Sequence, residues 1–172
     1  MTITTRRLAL TPVNMSHLQS TFEYAGNLEN TKYMMFLPYD SLEETRQVLE
    51  QSVKYWHSEN PEYLHFAIML GDIHIGEISL YFTEDAKKAE LGWVIHRDFW
   101  NCCYTTEAAL ALLDYAKKVW NIEYIFACCD SENTGSWRVM EKIGMHRVSC
   151  SPGRKNRASD NDRYELLYEI ML

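Results

Sequence analysis

Two apolar runs, each followed by a polar turn and then by apolar residues at helical spacing, organise the chain between Ala89 and Met145. The first run is Leu91-Gly92-Trp93-Val94-Ile95. It gives way to Asn101-Cys102-Cys103-Tyr104-Thr105 and then to Thr105–Val119, with Ala108, Leu110, Ala111, Leu113, Tyr115 and Ala116 along it. The second run, Ile122 to Cys129, leads into Asp130-Ser131-Glu132-Asn133-Thr134-Gly135-Ser136, and the helical pattern behind it ends at Gly144. This order predicts strand, helix, strand, helix: a βαβ unit with one further helix. Such units place ligands at the carboxyl ends of their strands, where the helices begin.

The flanking segments read less evenly. Arg6 to Leu10 alternates enough for a first strand, ending at Pro12. Asn14 or Ser16 can cap a helix running to about Ala25, with Met15, Leu18, Phe22 and Ala25 on one face. Asn27 to Asp40 holds Tyr33, Met34, Met35, Phe36, Leu37 and Tyr39 without a period. It reads either as a short helix packed on the core or as an aromatic wall over a substrate cleft. Ser41 and Glu44 have capping-box spacing before a helix with Leu42, Val48, Leu49, Val53 and Trp56 as its stripe, stopped by Asn60-Pro61. Tyr63–Leu70 and Ile73–Tyr81 read as strands joined at Gly71-Asp72, and Lys88–His96 as the next. Arg163 to Met171 reads as a last strand beside His146 to Cys150.

Bulk properties narrow the classes. The 172 residues suit one domain, 1–172, large enough for a real core. A net charge of -7 argues against nucleic acid or an anionic membrane as the main partner and is compatible with a cationic substrate. No apolar run approaches the roughly 20 residues of a membrane span, and the first residues lack a signal-peptide core, so the cytoplasm is the expected location. The five cysteines include two adjacent pairs, Cys102-Cys103 and Cys128-Cys129, which suit neither a disulfide framework nor a tetrahedral zinc site. The six histidines show no ligand spacing, so no metal is assigned.

Chemistry is expected at the two strand-to-helix turns. The start of the Thr105 helix presents free N–H groups and a positive dipole end, a natural anion site. A thiol there should gain reactivity. Cys102 or Cys103 should therefore react faster than Cys128, Cys129 or Cys150, unless both are inert gap fillers. Asn133 can cap the next helix or bond a ligand amide.

Ala89–Met145 resembles the coenzyme A binding core of the GNAT acetyltransferases, nearest to the branch that acetylates ribosomal-protein N-termini. The resemblance runs through Glu90-Leu91-Gly92-Trp93, Phe99-Trp100, Tyr104-Thr105-Thr106-Glu107-Ala108, Leu112-Leu113-Asp114-Tyr115-Ala116, Glu132-Asn133-Thr134-Gly135-Ser136 and Arg138-Val139-Met140-Glu141-Lys142-Ile143-Gly144-Met145. It implies a mixed α+β fold with a splayed, mostly antiparallel seven-stranded sheet, and transfer of acetyl from acetyl-CoA to a primary amine in a ternary complex. The acceptor would be a protein N-terminus, an antibiotic or a small polyamine, and the protein a monomer or homodimer. By the same resemblance, Trp93, Val94 and Ile95 offer backbone groups to pantetheine and the acetyl carbonyl. Asn101, Cys102, Cys103, Tyr104 and Thr105 hold the pyrophosphate, Asn133 reaches the pantetheine arm, and Ser136 protonates the leaving thiolate.

Departures from the family pattern are also visible. Its pyrophosphate loop has Gln or Arg first, then glycines; here Trp100 to Thr105 contains none. Glycine permits close backbone approach and left-handed angles, which Asn101 tolerates better than Cys103. The position of a frequent family tyrosine is Met140; the resemblance to the ribosomal-protein branch implies Ser136 as the acid, the alternative being a helix serine with no chemistry. A fifth-strand glutamate used by some relatives is replaced by Cys128. Glu90 and Glu77 remain as carboxylates near the cleft. Glu90 fits the motif as base, or alternatively serves as a structural carboxylate bonded to backbone or a tyrosine. The lost glycines leave a second function class open: a non-catalytic relative that binds acyl-CoA or a protein partner. Arg154, Lys155, Arg157 and Arg163 crowd the last loop, either solvated or contacting an adenosine phosphate or a partner subunit.

Overall fold

A computed structural model describes residues 1–172. Its strands are β1 (Ile3–Thr4), β2 (Ala9–Pro12), β3 (Tyr63–Leu70), β4 (Ile73–Phe82), β5 (Lys88–Ile95), β6 (Tyr124–Asp130), β7 (His146–Arg154) and β8 (Arg163–Met171). The helices are α1 (Leu18–Ala25), α2 (Leu28–Thr31), α3 (Leu42–Trp56), α4 (Tyr104–Trp120) and α5 (Thr134–Lys142). The strands form one sheet ordered β1-β2-β3-β4-β5-β6-β8-β7. Every pairing is antiparallel except β5 with β6. That parallel pairing covers only Lys88–Glu90 against Tyr124–Phe126, after which the two strands separate. The fold is the mixed, mostly antiparallel arrangement expected.

Two corrections concern the start of the sheet. The first full strand is Ala9–Pro12 rather than Arg6–Leu10, because Arg6-Arg7 form the bend between it and the two-residue β1. Counting β1, the sheet has eight strands rather than seven.

The sheet has two unlike faces. Residues 89, 91, 93 and 95 of β5 share a face with Ile78 and Leu80 of β4 and with Ile125, Ala127 and Cys129 of β6, as their register requires. This face packs on Ala108, Ala109, Leu112, Leu113 and Ala116 of α4, and with Met140, Ile143 and Met145 it makes the main core of 26 buried residues. The opposite face carries Glu77, Ser79 and Tyr81, Glu90, Gly92 and Val94, then Phe126, Cys128 and Asp130. Helices α1 and α3 cover part of it.

Their buried stripes are partly polar, unlike the apolar stripes expected. In α1 the buried residues are Thr21, Tyr24 and Ala25, and in α3 they are Thr45, Leu49 and Ser52. Helix α1 follows a short 3-10 turn capped by Asn14, whose side chain accepts from Ser16 N. Ser41 caps α3 by accepting from Glu44 N at 3.1 Å, while Glu44 reaches back to Asp40 N at 2.6 Å, one residue earlier than a capping box requires.

The segment between Asn27 and Asp40 holds the short helix of one of its two expected readings and packs partly on the core. Helix α2 is a single short turn capped by Asn27. Leu37 is then buried against Tyr24 and Ala25, with Tyr39 and Val94 beside them, while Phe36 is 77% exposed. The last loop holds this segment in place. Arg157 pairs with Asp40 and Glu44 at 2.6 and 2.7 Å, and Arg154 bonds Glu165 and the Tyr33 carbonyl. Arg163 reaches Asp130 at 3.0 Å and also pairs with Glu132. Three of the four cations expected to be solvated, or to meet a phosphate or a partner, are therefore committed within the chain. Lys155 stays exposed and is paired only loosely, with Asp162.

Candidate active site

The separation of β5 from β6 beyond Glu90 leaves the inner edge of β5 without a strand partner. His96 N donates to Ile75 O, and peptide groups alternate along a strand, so Val94 turns its backbone to β4 while Trp93 and Ile95 turn theirs to the gap. Val94 enters the site through its side chain, against Tyr24 and Leu37. The Ile95 carbonyl accepts from Trp100 Nε1 at 3.0 Å and Asn30 Nδ2 at 3.1 Å, which uses both of its lone pairs. Trp93 and the Ile95 N–H thus face the gap along the edge of β5 that β6 leaves.

At one end of the gap stands the N-terminus of α4. Asn101 and Cys103 both take left-handed backbone angles, φ 61° and 59°. The glycine-free loop thus adopts a backbone that glycine would enter without strain. Cys103 is the N-cap residue and makes no side-chain capping bond, leaving the first N–H groups of α4 unsatisfied by it. Tyr104 is half-buried and Thr105 buried, while Asn101, Cys102 and Cys103 are exposed. Arg7, from the β1–β2 bend, braces this loop. It pairs with Glu107 at 2.7 Å, donates to the Cys102 carbonyl at 3.1 Å, and lies 4.4 Å from the centre of the Tyr104 ring. Lys142, at the end of α5, brings Nζ within 3.8 Å of Cys103 Sγ. Two cations and a helix N-terminus therefore converge, an arrangement suited to an anion. Thr106 Oγ1 in the same turn is buried without a partner.

The turn after β6 starts α5. Asn133 caps that helix by accepting from Ser136 N at 3.2 Å, which occupies Oδ1 and leaves Nδ2 for another acceptor. Cap and ligand contact, posed as alternatives by the sequence, are compatible uses of the two ends of one amide. Ser136 lies near the Cys129 thiol on the α4/α5 face. Burial dominates at that thiol and, despite the serine, pushes it up to about 12; burial also lifts Cys128 to about 12. Cys102, Cys103 and Cys150 are the exposed thiols.

Glu90 lies on the other face, at the last paired position before the strands part. Burial raises its carboxyl above the ordinary range; the Glu165 carboxylate adds to this and Arg154 opposes it. It makes no hydrogen bond within the chain. The carboxylate bonded to a tyrosine is instead Glu77, one strand over. Glu77 is 8% exposed, and its Oε1 accepts from the Tyr24 hydroxyl at 3.0 Å. Burial lifts it to about 7, against the pull of Tyr24 and Thr21. Ser136 and Glu90 thus approach the gap from opposite faces of the sheet. No group of three or more His, Cys, Asp or Glu side chains is arranged to hold a metal.

Residues 7–146 match the Acetyltransferase (GNAT) domain model, most of the chain's length. The chain belongs to the GNAT acetyltransferases. It is 32% identical to the uncharacterised N-acetyltransferase YnaD of Bacillus subtilis (strain 168), over 98% of each chain. A GNAT-family acetyltransferase structure from Bacillus anthracis resembles it with TM-score 0.84 at 28% identity, covering 99% of this chain and 98% of that one. The coenzyme A complex of RimL, ribosomal L7/L12 alpha-N-protein acetyltransferase, shares the fold with TM-score 0.87 at 16% identity, covering 100% and 98%.

Within this GNAT chain the sequence reading missed Arg7, Lys142 and the pairing of Glu77 with Tyr24. Arg7 meets α4 only because β1 and β2 bring their bend to the helix start, a contact about 100 residues apart in sequence. The signal available beforehand was weaker: an Arg-Arg pair and an acidic residue, Glu107, in the first turn of the helix.

Proposed function

We propose that the protein transfers an acetyl group from acetyl-CoA to a primary amine. The observation that carries this reading is the gap between β5 and β6. Open peptide groups of Trp93 and Ile95 line one edge, Ser136 approaches from one face and Glu90 from the other, and the α4 N-terminus stands at its end. A pantetheine arm laid along β5 would extend the sheet as an added strand. Its pyrophosphate would meet the N–H groups of Tyr104 and Thr105 with Arg7 and Lys142, and Asn133 Nδ2 would meet an amide of the arm.

The amine nitrogen attacks the thioester carbon, the C–N bond forms and the C–S bond breaks. The leaving sulfur takes a proton from Ser136, at the start of α5. Glu90, partly desolvated and free of partners, accepts or orients the proton that the amine must lose. The walls on the acceptor side are acidic and aromatic, with Glu77, Glu90 and Glu165 near Tyr39, Tyr63 and Tyr81, and suit a cationic amine, whether a protein N-terminus or a small molecule.

The second reading, a non-catalytic acyl-CoA binder, draws on the strained Cys103 cap. Titrating the protein with acetyl-CoA while following thermal unfolding separates the readings in two steps. The acetylation reading expects a rise in Tm and then thiol release with at least one amine of a panel. A shift without thiol release leaves the binder, and no shift at millimolar acetyl-CoA rejects both.

A further inference from the structure

The polar cluster between α1, α3 and the sheet contains a chain of close polar contacts that starts beside Glu90. Tyr81 on β4 is the register partner of Glu90, and its ring lies over Gly92, where a Cβ would stand 3.2 Å from Tyr81 Cε2. Tyr81 is 38% exposed, and its hydroxyl lies 3.2 Å from His65 Nε2. His65 Nδ1 lies 3.4 Å from Glu77 Oε2 and 3.2 Å from Ser52 Oγ. Glu77 Oε1 in turn accepts from Tyr24 at 3.0 Å and Thr21 at 3.4 Å. A continuous polar path thus runs from the rim of the gap to a buried carboxyl.

The surroundings of that carboxyl suit proton storage better than a static ion pair. Glu77 is faced by Tyr24 from α1, Tyr39 from the segment before α3, Tyr63 and His65 from β3, and Tyr81 from its own strand. Its partner on β5 is the apolar Val94. No lysine or arginine perturbs it. Burial holds His65 down at about 4 and Glu77 up at about 7, so near neutrality the imidazole is uncharged and the carboxyl lies between its two states. A neutral imidazole has one N–H and one acceptor nitrogen, the pair a relay needs.

We propose that Tyr81, His65 and Glu77 form a proton relay that removes the proton from the acceptor ammonium. Tyr81 is the catalytic residue at its mouth, and His65 and Glu77 are positioning residues behind it. The proposal rests on the amine-acetylation reading above. The ammonium gives a proton to the Tyr81 oxygen as the hydroxyl proton passes to His65 Nε2, and the Nδ1 proton passes to Glu77 Oε2. The freed nitrogen attacks the thioester carbon, and the leaving sulfur takes the Ser136 proton. The nitrogen then gives its second surplus proton to Glu90, which passes it to water; water restores the serine proton, and Glu77 returns its proton to solvent by the reverse path.

The test uses acetyl-CoA with whichever of a serine-initiated peptide, spermidine or an aminoglycoside the wild type acetylates fastest. Wild-type kcat/KM for the amine should level off above about pH 7. Glu77→Gln should lose roughly a hundredfold at pH 7. Its kcat/KM should keep rising, about tenfold per pH unit toward the amine's own pKa, because only the neutral amine then reacts. Tyr81→Phe, which deletes one part-exposed hydroxyl, should show the same profile with unchanged acetyl-CoA affinity and unfolding. Carbon-13 carboxyl and nitrogen-15 imidazole NMR supply a readout independent of turnover. Glu77 should titrate near neutrality, with His65 neutral and protonated on Nδ1. Wild-type turnover with an unaltered profile in both variants, or Glu77 titrating with the surface glutamates, overturns the relay alone. No thiol release by the wild type with any amine overturns the acetylation reading and the relay's role with it.

Discussion

The two faces of one sheet do different work at the same gap. On the α4/α5 side the strands present Ile78, Leu80, Leu91, Ile125 and Ala127, all buried, and chemistry is confined to the helix ends at Cys103 and Asn133–Ser136. On the α1/α3 side the same strands present Glu77, Ser79, Tyr81, Glu90 and Cys128, and the covering helices answer with Thr21, Tyr24 and Ser52. Alternation makes this possible: each strand serves an apolar core with one set of residues and a polar cleft with the next. Stability and chemistry are therefore separable by residue parity, and a change should affect one far more than the other according to its face.

The largest expected effect is on the apolar face. Leu80→Ala should cost about 2–5 kcal/mol in urea unfolding, since a fully buried side chain leaves a cavity. Its polar-face neighbour in Ser79→Ala should stay within about 1 kcal/mol. Equal losses would break the comparison. Next comes Ser136→Ala, expected to lower kcat by roughly a hundredfold while leaving the acetyl-CoA dissociation constant unchanged; a loss confined to binding would return Ser136 to a structural role.

A third test sharpens the polar face through pH. A carboxyl with a raised folded pKa favours the fold most when protonated, and Glu77 loses that contribution as pH rises from about 4.5 to about 7. His65 acts oppositely. It is held neutral with its pKa lowered to about 4, so its contribution grows as pH rises from about 4 to 6.5. His74, lowered to about 4 by burial, acts in the same sense as His65. Glu77→Gln should therefore make stability climb more steeply across that window, by on the order of 3 kcal/mol. Denaturant melts between pH 4 and 7.5 read this directly, and an unchanged slope would mean that Glu77 titrates in the folded protein as it does unfolded. The smallest effect should come from Cys103→Gly, which removes a left-handed strain of about 1–2 kcal/mol but adds chain entropy to the unfolded state. It should leave stability level or up to about 1 kcal/mol higher and tighten acetyl-CoA binding severalfold.

The faces also differ in how openly the sequence displays them. The apolar side was legible because Leu91–Ile95 and Ile122–Cys129 are long runs bounded by turns, and Ala108 to Ala116 keep helical spacing. The Asn133 cap was legible from its motif, and the position of Glu90 on β5 from the strand pattern. The polar cluster was not. His65, Glu77 and Tyr81 each sit singly within runs that read as strand. They meet only through the register of β3 and β4, which shifts between Ile68 and Met69. Gly76 beside that irregularity has φ +158°, and a Cβ there would lie 2.4 Å from the Val94 carbonyl, so β4 and β5 approach closely just where Glu77 follows. Arg154, Arg157 and Arg163 were visible as a charge cluster, but their partners Glu165, Glu44 and Asp130 lie up to 113 residues away. No local pattern encodes such distant pairs.

The central claim is that the gap between β5 and β6 binds acetyl-CoA and delivers its acetyl group to an amine. Mass spectrometry of an amine panel incubated with the protein and acetyl-CoA, with coenzyme A release measured in the same samples, tests it most directly. The account predicts a singly acetylated amine appearing in step with released thiol, and both signals appearing roughly a hundredfold more slowly in Ser136→Ala. Thiol release without any acetylated amine, or product formed equally well by Ser136→Ala, would contradict it.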